Sequence, residues 1–238
     1  MSVLLLARHG QTLLFSEDHD QLSPAGVEQA RAMGAYWATL GLGFDRVLVG
    51  PKRAHRQTYE AARAAFKAAS NQPLPEANML PGFNDHQGEQ VFRAVVPTLD
   101  NGKEMMERFG RAFLRGDLPM RRTWMEAYVR VSRRWMNGEL PADRFESWTA
   151  FRARVGRTLD TLKTSTGPRD RILVFTSAGP VAAALGHAFN LDDETVLKLS
   201  WTTRNASLTE FFLSQDELSL SSFNATPYLN DQKLLTYV

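Results

Sequence analysis

The 238-residue sequence predicts an α/β fold, on three observations. Short, uninterrupted apolar runs stand near its start and again towards its end, as in strands buried on both faces. Segments with apolar residues at helical spacing follow those runs, so strand and helix alternate as in a sheet joined by helical crossovers. Between the two alternating parts lies a longer stretch of helical pattern alone.

Val3 to Ala7 is the first strand. Ser23 caps the helix that follows, Pro24 fits its first turn, and Val27, Ala30, Gly34, Trp37 and Ala38 form one face. Gly41 and Gly43 end it, and Arg46 to Val49 makes a second short strand, broken by Gly50 and Pro51. An alanine-rich helix runs from about Lys52 to Ala69. Asn71 to Pro81 carries three prolines and reads as loop with one edge strand. From about Gln87 to Asp143 the pattern is helical and basic. Ser147 to Leu162 is an amphipathic helix through Phe151, Val155 and Leu159. Arg171 to Thr176 is a strand, Gly179 to Phe189 a helix, and Leu208 to Leu213 and Leu218 to Phe223 are late strands. With no internal repeat, the economical organisation is a single domain over 1–238 with a helical, basic insertion at about 87–145.

Hydrophobic residues at 43% and charged residues at 23% exclude a disordered or fibrous chain. The absence of cysteine excludes disulfides, thiolate metal sites and cysteine nucleophiles. A net charge of +2 is too near neutral to make nucleic acid or a membrane the expected partner. The amino terminus has no basic residue ahead of its apolar run, which is too short for a signal-peptide core, so the sequence predicts a cytoplasmic protein. Residues 101–134 hold nine Lys+Arg and four acids, a local net of +5, with Phe109, Phe113, Trp124, Tyr128 and Trp135 among them. Two readings are open there: a packed aromatic face opposite a solvated basic one, or a lid whose arginines meet an anionic substrate. A homodimer is compatible with the sequence.

Arg8-His9-Gly10 stands where the first strand ends. Ligands of open α/β sheets bind outside the carboxyl ends of the strands, so a reactive group is useful there. Arginine grips a phosphate bidentately, a neutral imidazole nitrogen can attack phosphorus, and glycine allows close backbone approach. Gln11 follows, then Leu22-Ser23-Pro24-Ala25-Gly26-Val27-Glu28-Gln29-Ala30. Val49-Gly50-Pro51-Lys52-Arg53-Ala54-His55-Arg56-Gln57-Thr58 occupies the next strand-to-helix turn. Later come Glu146-Ser147-Trp148 with Phe151, Arg154-Val155, Thr176-Ser177-Ala178-Gly179-Pro180 and Asn205-Ala206-Ser207-Leu208-Thr209. In this order, over nearly the whole chain, these segments resemble the histidine phosphatase superfamily, the phosphoglycerate mutase-like proteins.

The resemblance implies a three-layer α/β/α sandwich with a mostly parallel central sheet, and phosphoryl transfer through a phosphohistidine. His9 matches the nucleophile and Arg8 a phosphate-binding arginine; no metal or other cofactor is implied. Three positions depart from the family pattern. Where many members carry an arginine four residues before the helix threonine, here Thr58, this chain has Ala54, with Lys52, Arg53 and Arg56 close by. A shift of register lets Arg53 reach the phosphate, against the alternative that Arg53 and Arg56 are surface helix charges. The second histidine usual after the late strand is replaced by Ser177, read as either a phosphate contact or a helix cap, with the backbone of Ala178 beside it offering N–H groups to an anion. The usual proton-donating glutamate is best matched by Asp85, one methylene shorter, with His86 as an alternative acid. His55 at the helix start is read as either an exposed histidine, the favoured reading, or one that approaches the phosphate, and His19 and His187 as structural.

These expectations support a phosphomonoester hydrolase acting on a small phosphorylated metabolite. The alternative, motivated by Ala54 and Ser177, is a weak or inactive relative that binds a phosphorylated ligand or protein partner. A mutase is disfavoured, because no segment matches the glutamate-rich stretch of dedicated mutases.

Overall fold

A computed structural model describes residues 1–13, 19–99, 101–115, 118–140, 144–215 and 217–237. In chain order its principal elements are β1 (Ser2–Arg8), α1 (Pro24–Thr39), β2 (Arg46–Val49), α2 (Arg53–Ser70), β3 (Ala77–Met79), α3 (Gly88–Val95), α4 (Gly102–Arg115), α5 (Leu118–Met136), α6 (Trp148–Ser165), β4 (Arg171–Thr176), α7 (Ala178–Phe189), α8 (Asp193–Thr202), β5 (Leu208–Leu213) and β6 (Leu218–Ala225). The expected strand and helix order stands, and one helix, α8, is additional. Its start is set by Asp192, whose carboxylate accepts the Thr195 N–H at 2.9 Å. Those bonds to Thr195 hold the Asp192 carboxyl below its ordinary pKa.

The six strands form one sheet in the order β3-β2-β4-β1-β5-β6. The pairs β3/β2, β2/β4 and β4/β1 are parallel, and β1/β5 and β5/β6 are antiparallel, so the fold is α/β with a mostly parallel sheet. β1 and β4 lie at its centre, which explains their unbroken apolar character: both faces of each strand must be covered. Leu5, Ala7, Val47, Val49, Leu173 and Phe175 pack with Met33 and Trp37 of α1 and Tyr59, Ala62 and Phe66 of α2. On the opposite face Leu4, Leu6, Ile172 and Val174 are equally sealed, at 0% exposure.

Contacts within the chain divide it into two compact units. The first contains the sheet and is drawn from Met1–Leu14, Asp20–Asp85 and Arg154–Val238; the second is drawn mainly from His86–Ala153. Within the second, α5 packs on both α3 and α4. Phe92 meets Trp124 edge-on at 5.8 Å, and Trp124 stacks on Tyr128 at 5.1 Å. Its charges form exposed pairs such as Arg122–Glu126 and Arg134–Glu139. Of the basic stretch read in the sequence, Asp117 and the side chains of Phe113, Arg115 and Arg121 lie outside the described residues, as does Asp143. No helix among the described residues is long and apolar enough to cross a membrane.

Candidate active site

The carboxyl ends of β1, β2 and β4 lie side by side, with Arg8 opposite Thr176 and Val49 opposite Phe175. The turns leaving these three strands therefore converge, and each delivers a polar side chain into one buried cluster.

His9 follows β1 and is 8% exposed. Its main-chain N–H donates to the Thr176 carbonyl at 2.8 Å, which ties it to the neighbouring strand. Its ring Nδ1 lies 2.8 Å from the Gly10 carbonyl oxygen. A carbonyl only accepts, so Nδ1 carries the proton and Nε2 keeps its lone pair. Burial pushes the His9 pKa well below its ordinary value, and the Arg8, His55 and Lys52 charges push the same way. The ring is therefore a neutral imidazole at pH 7.

Gly10 fixes the approach of the first helix. A Cβ there would lie 2.4 Å from the Gly26 carbonyl oxygen, so only glycine lets α1 start this close to the His9 turn. Several residues of the sequence signature serve as scaffolding for that turn. Thr58 Oγ1 accepts the Gly10 N–H at 3.1 Å and donates to the Ala54 carbonyl. Gln29 Oε1 accepts the Gln11 N–H, and Gln57 Oε1 accepts the Leu22 N–H. Ser23 caps α1, accepting the Gly26 N–H at 3.1 Å as its position before Pro24 predicts.

Arg8 is buried, and its Nη1 donates to the main-chain carbonyls of Thr203 and Tyr237. The guanidinium is thus anchored by the segment after α8 and by the carboxyl-terminal stretch.

His55 departs from expectation. It is fully buried, at 0% exposure, because α2 turns Ala54, His55, Thr58, Tyr59, Ala62 and Phe66 inward. Its ring centroid lies 5.6 Å from that of His9, and its Nε2 lies 2.7 Å from Ser177 Oγ. Burial lowers the His55 pKa to about 3; Lys52 contributes in the same direction, while Asp85 and the Gly50 carbonyl oppose it. A Cβ on Gly50 would lie 2.4 Å from His55 Nδ1, so glycine makes room for the ring.

Ser177 occupies the N-cap position of α7 but its hydroxyl makes no capping bond; it faces His55 instead. Ala178 opens the helix, and its first-turn N–H groups lie at the end of β4. Lys52, half-buried just ahead of α2, places Nζ 3.6 Å from Asp85 Oδ2. Arg154 of α6 donates from Nη1 to the carbonyls of Gly82 at 2.8 Å and Asn84 at 3.1 Å, holding the loop that carries Asp85.

The structure thus brings His9, Lys52, His55, Asp85 and Ser177 into one electrostatically connected cluster, with Arg8 alongside. It does not bring Arg53 there: Arg53 opens α2 on the exposed side, with its main-chain N–H on Asp20 Oδ2 at 2.7 Å. His86 belongs to the second unit, ringed by Trp135, Trp148 and Phe151 at 5.6–5.8 Å, and its Nδ1 accepts the Gly88 N–H. His187 pairs with Asp160 at 3.2 Å. Lys52 and His55 join the cluster although the sequence favours Arg53 for the phosphate and an exposed position for His55. The phase of α2 was the available signal for His55: it shares the face set by Tyr59, Ala62 and Phe66. Among the described residues no group of three or more His, Cys, Asp or Glu is arranged to hold a metal ion.

The chain is thus an α/β protein whose polar cluster stands outside the carboxyl ends of its central strands, where open α/β sheets bind their ligands. The sequence model of the histidine phosphatase superfamily (branch 1) matches residues 97–226, more than half of the chain, and the protein belongs to that family. The matched stretch contains Arg154 and Ser177, and His9, Lys52 and His55 precede it. Solved structures agree in fold. A phosphoglycerate mutase from Bacillus anthracis superposes with a TM-score of 0.64 at 16% identity, over 96% of this chain and 95% of that one. A phosphoserine phosphatase from Entamoeba histolytica, in complex with 3-phosphoglyceric acid, gives 0.58 at 18% identity, over 96% and 100%. An α-ribazole phosphatase from Shigella flexneri gives 0.57 at 18% identity, over 94% and 96%. No curated protein matches the chain in sequence.

Proposed function

We propose that this protein is a phosphomonoester hydrolase that acts on a small phosphorylated metabolite through a phosphohistidine on His9. The observation that carries this reading is the Nδ1–H bond from His9 to the Gly10 carbonyl, which leaves Nε2 as a neutral, oriented nucleophile. The Nε2 lone pair attacks phosphorus, the P–O ester bond breaks, and its electron pair leaves on the alcohol oxygen. Asp85 supplies the proton to that oxygen. In the resting site its carboxylate is paired with Lys52. An arriving phosphoryl dianion competes for the Lys52 ammonium, and a carboxylate left beside a dianion takes up a proton more readily. Water then attacks the phosphohistidine, gives its proton to Asp85, and the P–N bond breaks with its electrons returning to Nε2. Lys52, Ser177 Oγ–H, Arg8 and the main-chain N–H groups around Ala178 offset charge on the equatorial oxygens.

The test is hydrolysis of p-nitrophenyl phosphate by the purified protein beside His9→Ala. The expected result is activity with an acid-labile phosphoryl label on the wild type, and loss of both by at least about 10³-fold in the variant. Equal rates for the two proteins overturn the reading.

The second reading is a non-catalytic phosphate binder. It is favoured by Ala54, which offers no charge, and by the Arg8 bonds to the Thr203 and Tyr237 carbonyls. Protection by inorganic phosphate against thermal unfolding, without hydrolysis of any monoester, is its signature.

A further inference from the structure

We infer that His55 and Ser177 act as one unit, the imidazole orienting the serine hydroxyl so that its proton is presented to a phosphoryl oxygen held beside His9. The inference rests on the phosphoryl-transfer reading of His9, and it adds a positioning residue from a different element, α2.

Three geometric observations carry it. Ser177 stands at the start of α7, where serine ordinarily bonds to the helix N–H groups, yet its Oγ makes no such bond and lies 2.7 Å from His55 Nε2. His55 is wholly buried, a costly place for an imidazole that holds a helix surface and nothing else. Its ring lies 5.6 Å from that of His9, so the hydroxyl it touches belongs to the same cluster as the nucleophile.

A hydroxyl has one proton, and it must be free to point at the substrate. His55 Nδ1 makes no hydrogen bond among the described residues, so no acceptor fixes the ring proton there; with the proton on Nε2, the N–H donates to Ser177 Oγ, and the serine proton is released to donate onward. The chain Nε2–H to Oγ–H to phosphoryl oxygen is two hydrogen bonds pointing the same way, and each polarises the other. No bond is made or broken in it. The groups facing His55 are Lys52, Asp85, His9 and Gly50. With the His55 pKa held near 3, the unit acts as a neutral donor rather than as an imidazolium.

Two readouts test it: steady-state hydrolysis of p-nitrophenyl phosphate, and affinity for orthovanadate by thermal shift, which requires no turnover. Ser177→Ala and His55→Phe are each expected to lower kcat about 10²-fold with little change in KM, and to weaken vanadate binding by at least about 10-fold. The double variant is expected to lose no more than either single one, because both remove the same donor. His55→Gln, which keeps an N–H near Ser177, is expected to recover most of the loss while melting like the wild type at pH 7.5. It also serves where His55→Phe fails to fold. Losses that multiply in the double variant, or vanadate affinity unchanged by both single substitutions, overturn the coupled donor. The two readings fail separately. If His9→Ala keeps full hydrolytic activity, the phosphohistidine falls, whereas the vanadate cycle still reports on His55 and Ser177.

Discussion

His55 in the first unit and His86 in the second are both buried, yet their surroundings differ in kind. His86 is ringed by Trp135, Trp148 and Phe151, and its Nδ1 accepts the N–H of Gly88, two residues away. His55 touches a hydroxyl from a distant strand end and feels the charges of Lys52 and Asp85. The first arrangement belongs to an aromatic core, where the ring packs edge and face against three larger rings. The second joins three turns of one sheet into a polar cluster. Burial of a titratable group therefore says little about its work until its neighbours are known.

Removing a charge from one region and a ring nitrogen from the other separates the two histidines. Lys52→Met is expected to lower kcat/KM for p-nitrophenyl phosphate about 10²-fold, because it removes the ammonium shared by Asp85, His9 and His55. His86→Phe is expected to change kcat/KM by less than about threefold, its effect appearing in the melting temperature instead. Parallel losses of activity in the two variants would show that the aromatic core also serves the chemistry.

A second measurement exploits the pH dependence of stability. The folded-state pKa of His55 is about 3, and the unfolded chain titrates near 6.5. Between those values the unfolded state binds a proton that the folded state refuses, so stability falls as pH drops below 6.5 and the penalty is complete near pH 3. At pH 5 a single such histidine costs about 2 kcal/mol relative to pH 7.5. His9 shifts in the same direction and adds to the slope. Thermal unfolding at pH 7.5 and pH 5 is expected to show a smaller acid loss in His55→Gln than in the wild type. Identical losses would mean that His55 takes up its proton without unfolding, and the sealed pocket described for it would be wrong.

The fold was legible because its central strands are apolar on both faces: Leu4 to Ala7 and Ile172 to Phe175 are buried almost without exception. α8 escaped because it is short, opens on the acidic Asp193 and Glu194, and buries only Val196 and Leu197 of its apolar residues, so the Asp192 cap is its clearest mark. In the site, the positions of His9 and Ser177 at strand ends were legible, because each directly follows an apolar run that forms a central strand, β1 or β4. Their partners were not. The carbonyls that anchor Arg8 come from Thr203 and Tyr237, 195 and 229 residues away, and no local pattern announces them. The exposed reading of His55 has a different cause. Next to Arg53 and Arg56 it reads as one more polar residue at a helix start, although the helical phase counted back from Phe66 turns it inward.

The smallest expected effect concerns the neighbours Lys52 and Arg53. Sequence alone favours the arginine for gripping phosphate, since its fork binds two oxygens at once. Position reverses the choice. Lys52 precedes α2 and reaches along the turn to Asp85, whereas Arg53 is the first helical residue, about 100° further round, and is exposed. Arg53→Ala is therefore expected to change kcat/KM for p-nitrophenyl phosphate by no more than about twofold, as for an ordinary surface substitution. A loss comparable to that of Lys52→Met would place the guanidinium on the substrate and show that α2 shifts its first turn when phosphate binds. The ratio of the two losses thus measures how far the unliganded arrangement persists during catalysis.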